Sequence, residues 1–163
     1  MSTTTLSTIV TGHYGIAEKQ LQPHNNHQLL ISLQSFQEND VVAIFGSSEI
    51  HKHPSRYTVQ VAENKHIILS PEFLQYINHS CNPNVFFNTS TMELTALKQI
   101  NTGDEFTFFY PSTEWFMADP FTCLCGSANC LGTIKGAKEI NKTTLKQYQL
   151  TQFIQSKLDE VKD

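Results

Sequence analysis

The sequence predicts a mainly β domain with a minor helical share, followed by an irregular cysteine-bearing loop and a helical tail. Three observations point there. Between about residues 6 and 110, short apolar or alternating runs recur, separated by Gly, Pro, Asn and Ser turn signals. Between Asp119 and Gly136 the chain is rich in Cys, Gly and small residues, with little means of ordering itself without a ligand. Beyond Thr143, the residues Leu150, Ile154, Leu158 and Val161 recur at helical spacing.

The strands follow in order. Residues 41–45 (Val-Val-Ala-Ile-Phe) read as a buried strand stopped by Gly46-Ser47-Ser48. Residues 57–61, opening on Tyr57, alternate apolar and polar as a half-buried strand does. Residues 66–69 form another, ended by Ser70-Pro71, and Ser70 can cap a single helical turn with Pro71 at its first position. Residues 85–87 and 94–97 flank a hairpin-like turn, Asn-Thr-Ser-Thr. Residues 101–104 turn the chain into a strand over 106–110 that stops at Pro111. In the tail, Gln155, Lys157 and Asp159 mark a solvated face. No internal repeat or long linker interrupts this order.

Length and composition bound the rest. The 163 residues suit one domain, and 39% hydrophobic content with eleven Phe supplies a core without disulfide staples. The first residues lack the basic and apolar regions of a secretory signal, and no run approaches the roughly 18 apolar residues needed to span a bilayer. The expectation is an intracellular protein, cytoplasmic or nuclear, with no membrane contact. Eleven Lys+Arg against fifteen Asp+Glu give a net charge of −4, which offers no electrostatic case for nucleic-acid binding. A zinc-based nucleic-acid binder is opposed on the same ground.

The four cysteines are the strongest chemical signal. Cys123, Cys125 and Cys130 form a Cys-x-Cys-x₄-Cys cluster, and the fourth thiol, Cys81, lies upstream in Asn78-His79-Ser80-Cys81-Asn82-Pro83-Asn84. In a reducing compartment such a cluster reads as metal binding rather than a disulfide framework. A structural Zn²⁺ takes four ligands in a tetrahedron, so one Cys₄ site would have to bring the loop back onto Cys81. A nucleophilic pair of Cys81 with His79 is the weaker reading, because the other cysteines account for Cys81 better as a ligand.

Asn78-His79-Ser80-Cys81-x-Pro83-Asn84, then Gly103-Asp-Glu-Phe-Thr-Phe-Phe-Tyr110, then Cys123-x-Cys125-Gly-Ser-x-x-Cys130-x-Gly132 form an ordered triple. It resembles the SET-domain protein lysine methyltransferases that carry a post-SET zinc motif. The resemblance covers roughly residues 8–136 and is most specific over 76–132. It implies a SET domain over residues 1–116, a post-SET segment over 117–136 and a helical tail over 137–163. It also implies a SET fold of short twisted sheets, with a pseudoknot joining the Asn-His-Ser-Cys segment to the strand ending at Tyr110. S-adenosylmethionine is the implied methyl donor, and a lysine-containing protein or peptide the implied substrate. Tyr110 then matches the catalytic tyrosine and Tyr57 the second active-site tyrosine. Tyr14, Gly15, Asn78, His79 and Tyr110 match donor-binding positions, with Phe121 and Leu124 lining the donor and lysine pockets. Phe108 and Trp115 fall on the substrate channel, and Cys81, Cys123, Cys125 and Cys130 on the zinc. The chain departs from the family where His13 replaces the first glycine of the Gly-x-Gly signature. It departs again where Gln75-Tyr76-Ile77 lacks the usual Arg, and where Phe109 replaces an acidic residue.

The chemistry is consistent with few ionisable groups. Methyl transfer to an amine is an in-line displacement that needs the reacting atoms held about 3–3.5 Å apart. Neutralising a lysine of pKa about 10.4 at pH 7 costs about 4.6 kcal/mol. An apolar channel and an adjacent sulfonium lower that cost. A family position that carries Phe or Tyr is Phe here, at Phe108, which leaves room for di- or trimethylation. The alternative is a SET-like module that no longer turns over and holds a peptide in its groove. Retention of Tyr110 weighs against it.

Overall fold

The structure, a computed structural model, describes residues 8–161. Strands β1 (Ile9–His13), β2 (Ala17–Gln22) and β3 (His27–Ser32) form an antiparallel meander. Gly15, at φ +78°, makes the first turn, a backbone conformation that a side chain resists. Strand β4 (Val41–Ile44) stops short of Gly46-Ser47-Ser48 as the sequence suggests, but those residues are not a turn. After Phe45 the chain passes straight into β5 (Gly46–His51), which is exposed along nearly its whole length. β5 is the edge of a sheet ordered β5–β7–β6, so nothing requires it to show an apolar face.

Strands β6 (Thr58–Ala62) and β7 (Lys65–Ser70) complete that sheet through a two-residue turn with Asn64 at φ 51°. The helical turn anticipated after Ser70 is a 3-10 turn, Glu72–Tyr76. Ser70 instead closes β7, and no side chain caps the turn. Strand β8 (Asn78–His79) follows, then the hairpin of β9 (Val85–Asn88) and β10 (Glu93–Ala96). The Asn88 side-chain oxygen tightens that hairpin by accepting the N–H groups of Ser90 and Thr91 at 3.0 and 3.2 Å. β10 also pairs with β4.

Strand β11 (Thr107–Phe108) is shorter than the run of five that the sequence suggests, because the backbone turns at Tyr110–Ser112. It lies parallel to β8, with Thr107 opposite Asn78 and Phe108 opposite His79. Asn84 locks the two segments together: its side chain donates to Glu105 O at 2.8 Å and accepts from Thr107 N–H at 2.9 Å. The Asn-His-Ser-Cys segment and the segment ending at Tyr110 are therefore neighbours, although about thirty residues separate them.

Strands β12 (Phe121–Thr122) and β13 (Thr133–Ile134) pair across the cysteine loop. The tail is broken into α1 (Lys142–Leu145) and α2 (Gln152–Glu160). Asn141 caps the first helix and Thr151 the second, each by a side-chain oxygen accepting a first-turn N–H. Leu150 thus precedes α2 and Val161 follows it, so the expected four-residue stripe is not one helical face. Among the described residues, no helix is long and apolar enough to cross a membrane.

Apolar side chains gather in three clusters. The largest includes Leu30, Ile67, Leu74, Phe87, Leu94, Ile100 and Phe106 from the first eleven strands and their connections. A second joins Phe109 to Leu145, Leu150 and Ile154 of the tail. The third is small, with Cys81, Cys123 and Ile134 at its centre.

Candidate active site

A cleft of about 840 Å³ opens between the β8–β11 pair, the start of β6 and the cysteine loop. Tyr110 stands in its wall, positioned by the parallel pair and by the turn that begins at its own residue. Its hydroxyl donates to the Ile77 carbonyl at 3.4 Å, and its backbone N–H donates to His79 Nδ1 at 3.1 Å. Burial pushes the phenol up to about 12; the Arg56 guanidinium pulls it down, and the Glu114 and Glu105 carboxylates push it up again. The group therefore stays protonated across the physiological range.

The Tyr110 contact fixes the histidine tautomer. Because His79 Nδ1 accepts, the proton sits on Nε2, which lies 3.4 Å from Cys81 Sγ. Burial lowers the His79 pKa to about 4, so the ring is neutral at pH 7. The side chain of Asn78 is equally committed. Its amide N–H groups reach Gln28 O at 2.7 Å and Glu105 Oε1 at 3.2 Å, which leaves the amide oxygen as an acceptor.

Phe108, Phe121, Tyr57 and Leu124 also line the cleft. The Phe108 ring is 4.6 Å from that of Tyr110 and 4.8 Å from Phe87. Phe121, on β12, is 5.9 Å from Tyr110 and 5.7 Å from His79, centroid to centroid. Tyr57 sits half-exposed just ahead of β6, edge-on to Tyr76, with the Arg56 guanidinium 5.7 Å from its ring. Leu124 is 92% exposed, so it forms rim rather than wall.

Three residues fall elsewhere. Trp115 does not line the cleft. It packs into the second cluster against the tail, with Lys157 Nζ 5.7 Å from its ring centroid. The chain turns at Tyr110–Ser112 and carries Trp115 into that cluster, away from the lining of this cleft. Tyr14 and Gly15 lie outside the cleft lining too. Tyr14 stacks on Phe73 at 4.6 Å and covers Gly12, where any side chain would collide with the Tyr14 hydroxyl.

The four cysteine sulfurs lie within 4.8 Å of one another. Zn–S bonds of about 2.3 Å put tetrahedral sulfurs about 3.8 Å apart, and Cys81 and Cys123 are already at 4.0 Å. Burial pushes both thiols up, so without a cation they hold their protons. The surroundings fit a thiolate: Leu131 N–H points at Cys81 Sγ from 3.4 Å. Asn129 and the Tyr148 hydroxyl fix the Cys81 carbonyl at 2.8 and 2.7 Å. This donor set could hold a metal ion.

Sequence reasoning missed Glu114 and Glu105, which both line the cleft, and Ile77, which contributes a carbonyl. Glu105 sits in the Gly-Asp-Glu run, where its composition suggests only a turn. Nothing in the local pattern aims Glu114 inward.

With this geometry in hand, comparison places the chain. A family model described as SET domain matches residues 11–111. The chain belongs to the SET domain family. Methyltransferase flvH of Aspergillus flavus is 46% identical over 87 residues, covering 52% of this chain and 49% of that protein. A histone-lysine N-methyltransferase of Chaetomium globosum, H3 lysine-36 specific, is 34% identical over 76 residues, covering 43% of this chain and 8% of that protein. The chain thus spans about half of the first relative and a small part of the second. Among solved structures, KRYPTONITE in complex with mCHG DNA and SAH superposes with a TM-score of 0.52 at 20% identity. That match covers 65% of this chain and 26% of KRYPTONITE, and it shows the shared fold.

Proposed function

We propose that this protein transfers methyl groups from S-adenosylmethionine to the side-chain amine of a lysine in a protein substrate. The single observation that carries the reading is a protonated, partly buried Tyr110 hydroxyl held at the Ile77 carbonyl beside the Asn78–His79 segment. When bound, S-adenosylmethionine supplies an electrophilic methyl group on a sulfonium. The free Asn78 amide oxygen suits an ammonium such as the one the donor carries, while Gln28 and Glu105 hold the amide in orientation. The rings of His79, Tyr110 and Phe121 stand edge-on to one another and give that end of the cleft an aromatic lining. The Tyr110 hydroxyl oxygen and the Ile77 carbonyl offer acceptors for weak C–H···O contacts at the reacting centre. Tyr57 stands at the mouth, where a substrate side chain would enter. Donor contacts at Tyr14 and Gly15 would require the turn of β1–β2 to close towards the cleft. The relatives named methyltransferases support the activity, and the histone-lysine enzymes among them support a protein substrate in the nucleus or elsewhere inside the cell.

The Cys₄ cluster is read as a structural zinc site whose role is to hold Phe121 and Leu124 over the cleft. Metal analysis of the purified protein is expected to find one zinc per chain, lost in Cys123→Ser. A protein with full activity and no metal would refute this part alone.

The test of activity is incubation with labelled S-adenosylmethionine and a mixed proteome. Transfer is expected, and Tyr110→Phe should reduce it by at least about a hundredfold, the scale set by removal of one transition-state hydrogen-bonding group. No transfer by the wild-type protein would sink the reading and leave a peptide-binding module. Phe108 touches both Tyr110 and the core, with no room held by a hydroxyl. Di- and trimethylated products are therefore expected, and mass spectrometry of Phe108→Tyr products should show a shift to lower states.

A further inference from the structure

Glu114 is a buried carboxyl in the wall of the cleft, 7% exposed. Two hydrogen bonds hold it, both on Oε2: the Gln60 backbone N–H at 3.0 Å and the Thr113 hydroxyl at 2.6 Å. Neither partner is charged, and Oε1 takes no hydrogen bond from another described residue. Burying a carboxyl without a cation is costly. A clasp for one N–H and one hydroxyl would be served as well by an amide, without that cost. Its own backbone N–H donates to the Tyr110 carbonyl at 3.1 Å, and the Thr113 hydroxyl that clasps it lies 3.3 Å from the same carbonyl, so the carboxyl is tied to the residue at the reacting end of the cleft.

The reaction needs a proton acceptor, because a lysine enters as an ammonium. The other titratable or charged groups lining the cleft are Tyr110, Tyr57, Arg56, Glu105, His79 and His27, with Asp119, Cys123 and Cys125 on the side of the cysteine loop. Tyr110 is a poor acceptor, since its phenol is already protonated at neutral pH. Glu105 is engaged with the Asn78 amide, and His79 Nδ1 with the Tyr110 N–H. Arg56 is a cation. Among the groups tied to Tyr110, Glu114 remains. Burial pushes its pKa up to about 7, so near neutrality both its forms are populated.

We propose that Glu114 accepts the proton of the substrate lysine ammonium before methyl transfer. This role rests on the methyltransferase reading above. The Nζ–H bond breaks and its electron pair stays on nitrogen. The proton passes to a carboxylate oxygen, leaving a neutral amine beside a neutral carboxylic acid, and it is later lost to water at the mouth of the cleft.

Glu114→Gln tests it, because the amide oxygen can still accept from Gln60 and Thr113. Transfer to the mixed proteome is measured from pH 6 to 10. The wild-type rate is expected to rise to about pH 7 and then level. The variant should be down about a hundredfold at pH 7 and recover by about tenfold for each pH unit, as water itself supplies neutral lysine. Thr113→Val, which loosens the clasp and keeps the carboxyl, should retain the wild-type profile shape. Independently of turnover, carbon NMR of glutamate-labelled protein should show one carboxyl titrating near pH 7 that Glu114→Gln removes. A variant that loses rate equally at every pH, or keeps the wild-type profile, overturns the role, as does the absence of that carboxyl signal. If the wild-type protein transfers nothing while the carboxyl still titrates near pH 7, the methyltransferase reading fails and this role falls with it.

Discussion

The β core and the cysteine loop are neighbours held together by different means. The core, from β1 to β11, closes around fully buried side chains such as Leu30, Ile67, Phe87 and Phe106. The loop between Pro120 and Ile134 has one two-residue strand pair and a cluster centred on Cys81, Cys123 and Ile134. One region is ordered by apolar area; the other has little of it and instead brings its three sulfurs to Cys81, a donor set that could hold a metal ion. Yet the cleft is built from both, with Tyr110 from the first and Phe121 from the second. A protein made this way can keep its fold and lose its site.

The largest expected effects separate the two. Phe87→Ala should cost about 3–5 kcal/mol, seen as loss of the whole far-UV circular dichroism transition at lower denaturant. Chelation should instead abolish transfer while leaving most of the strand signal in place, because zinc-type binding energy is invested in the loop. Global unfolding on chelation would show that the two regions are one cooperative unit and would break the contrast.

Glu114 is held on the core side of the cleft by Gln60 and Thr113, so its ionisation probes that wall. Burial raises its pKa from 4.5 to about 7 in the folded chain. Between those values the folded state binds the proton more tightly than the unfolded one. Stability therefore falls as pH rises from about 4.5 to 7, by on the order of 3 kcal/mol, and stays level above. Glu114→Gln should lack this fall. The difference between the two proteins' unfolding free energies, followed over that window, isolates Glu114 from His79, which titrates in both. A constant difference would place the carboxyl in water and weaken its role as proton acceptor.

How much of this was legible in the sequence follows the same division. The core strands β4, β6, β7, β9 and β10 announce themselves because each turns an apolar face inward. Strands β2 and β5 do not: Glu18-Lys19-Gln20 and Ser47-Ser48-Glu49 carry no alternation, since these strands are only partly buried or lie at an edge. Strands β8 and β11 are two residues each, too short for any period, and only their pairing gives them meaning. The proximity of Cys81 to the other three cysteines could be argued from ligand chemistry alone. The packing of Glu114 and Trp115 could not, because the three-residue turn Tyr110–Ser112 decides which of them lines this cleft.

The smallest expected effect tests whether the tail belongs to the core. Thr151 caps α2 through its hydroxyl, and its N–H donates to the Ser112 carbonyl at 3.0 Å, two residues beyond Tyr110. Thr151→Ala keeps the backbone bond and removes the cap, at a cost of about 1 kcal/mol. If tail and core melt together, the single transition should move down by about 2–4 °C with its shape unchanged. If they do not, helical signal should be lost first while the strand transition stays put. In that case the site's support from the tail, through Phe109 stacked on Tyr148 at 3.6 Å, would be a docked surface rather than part of the fold.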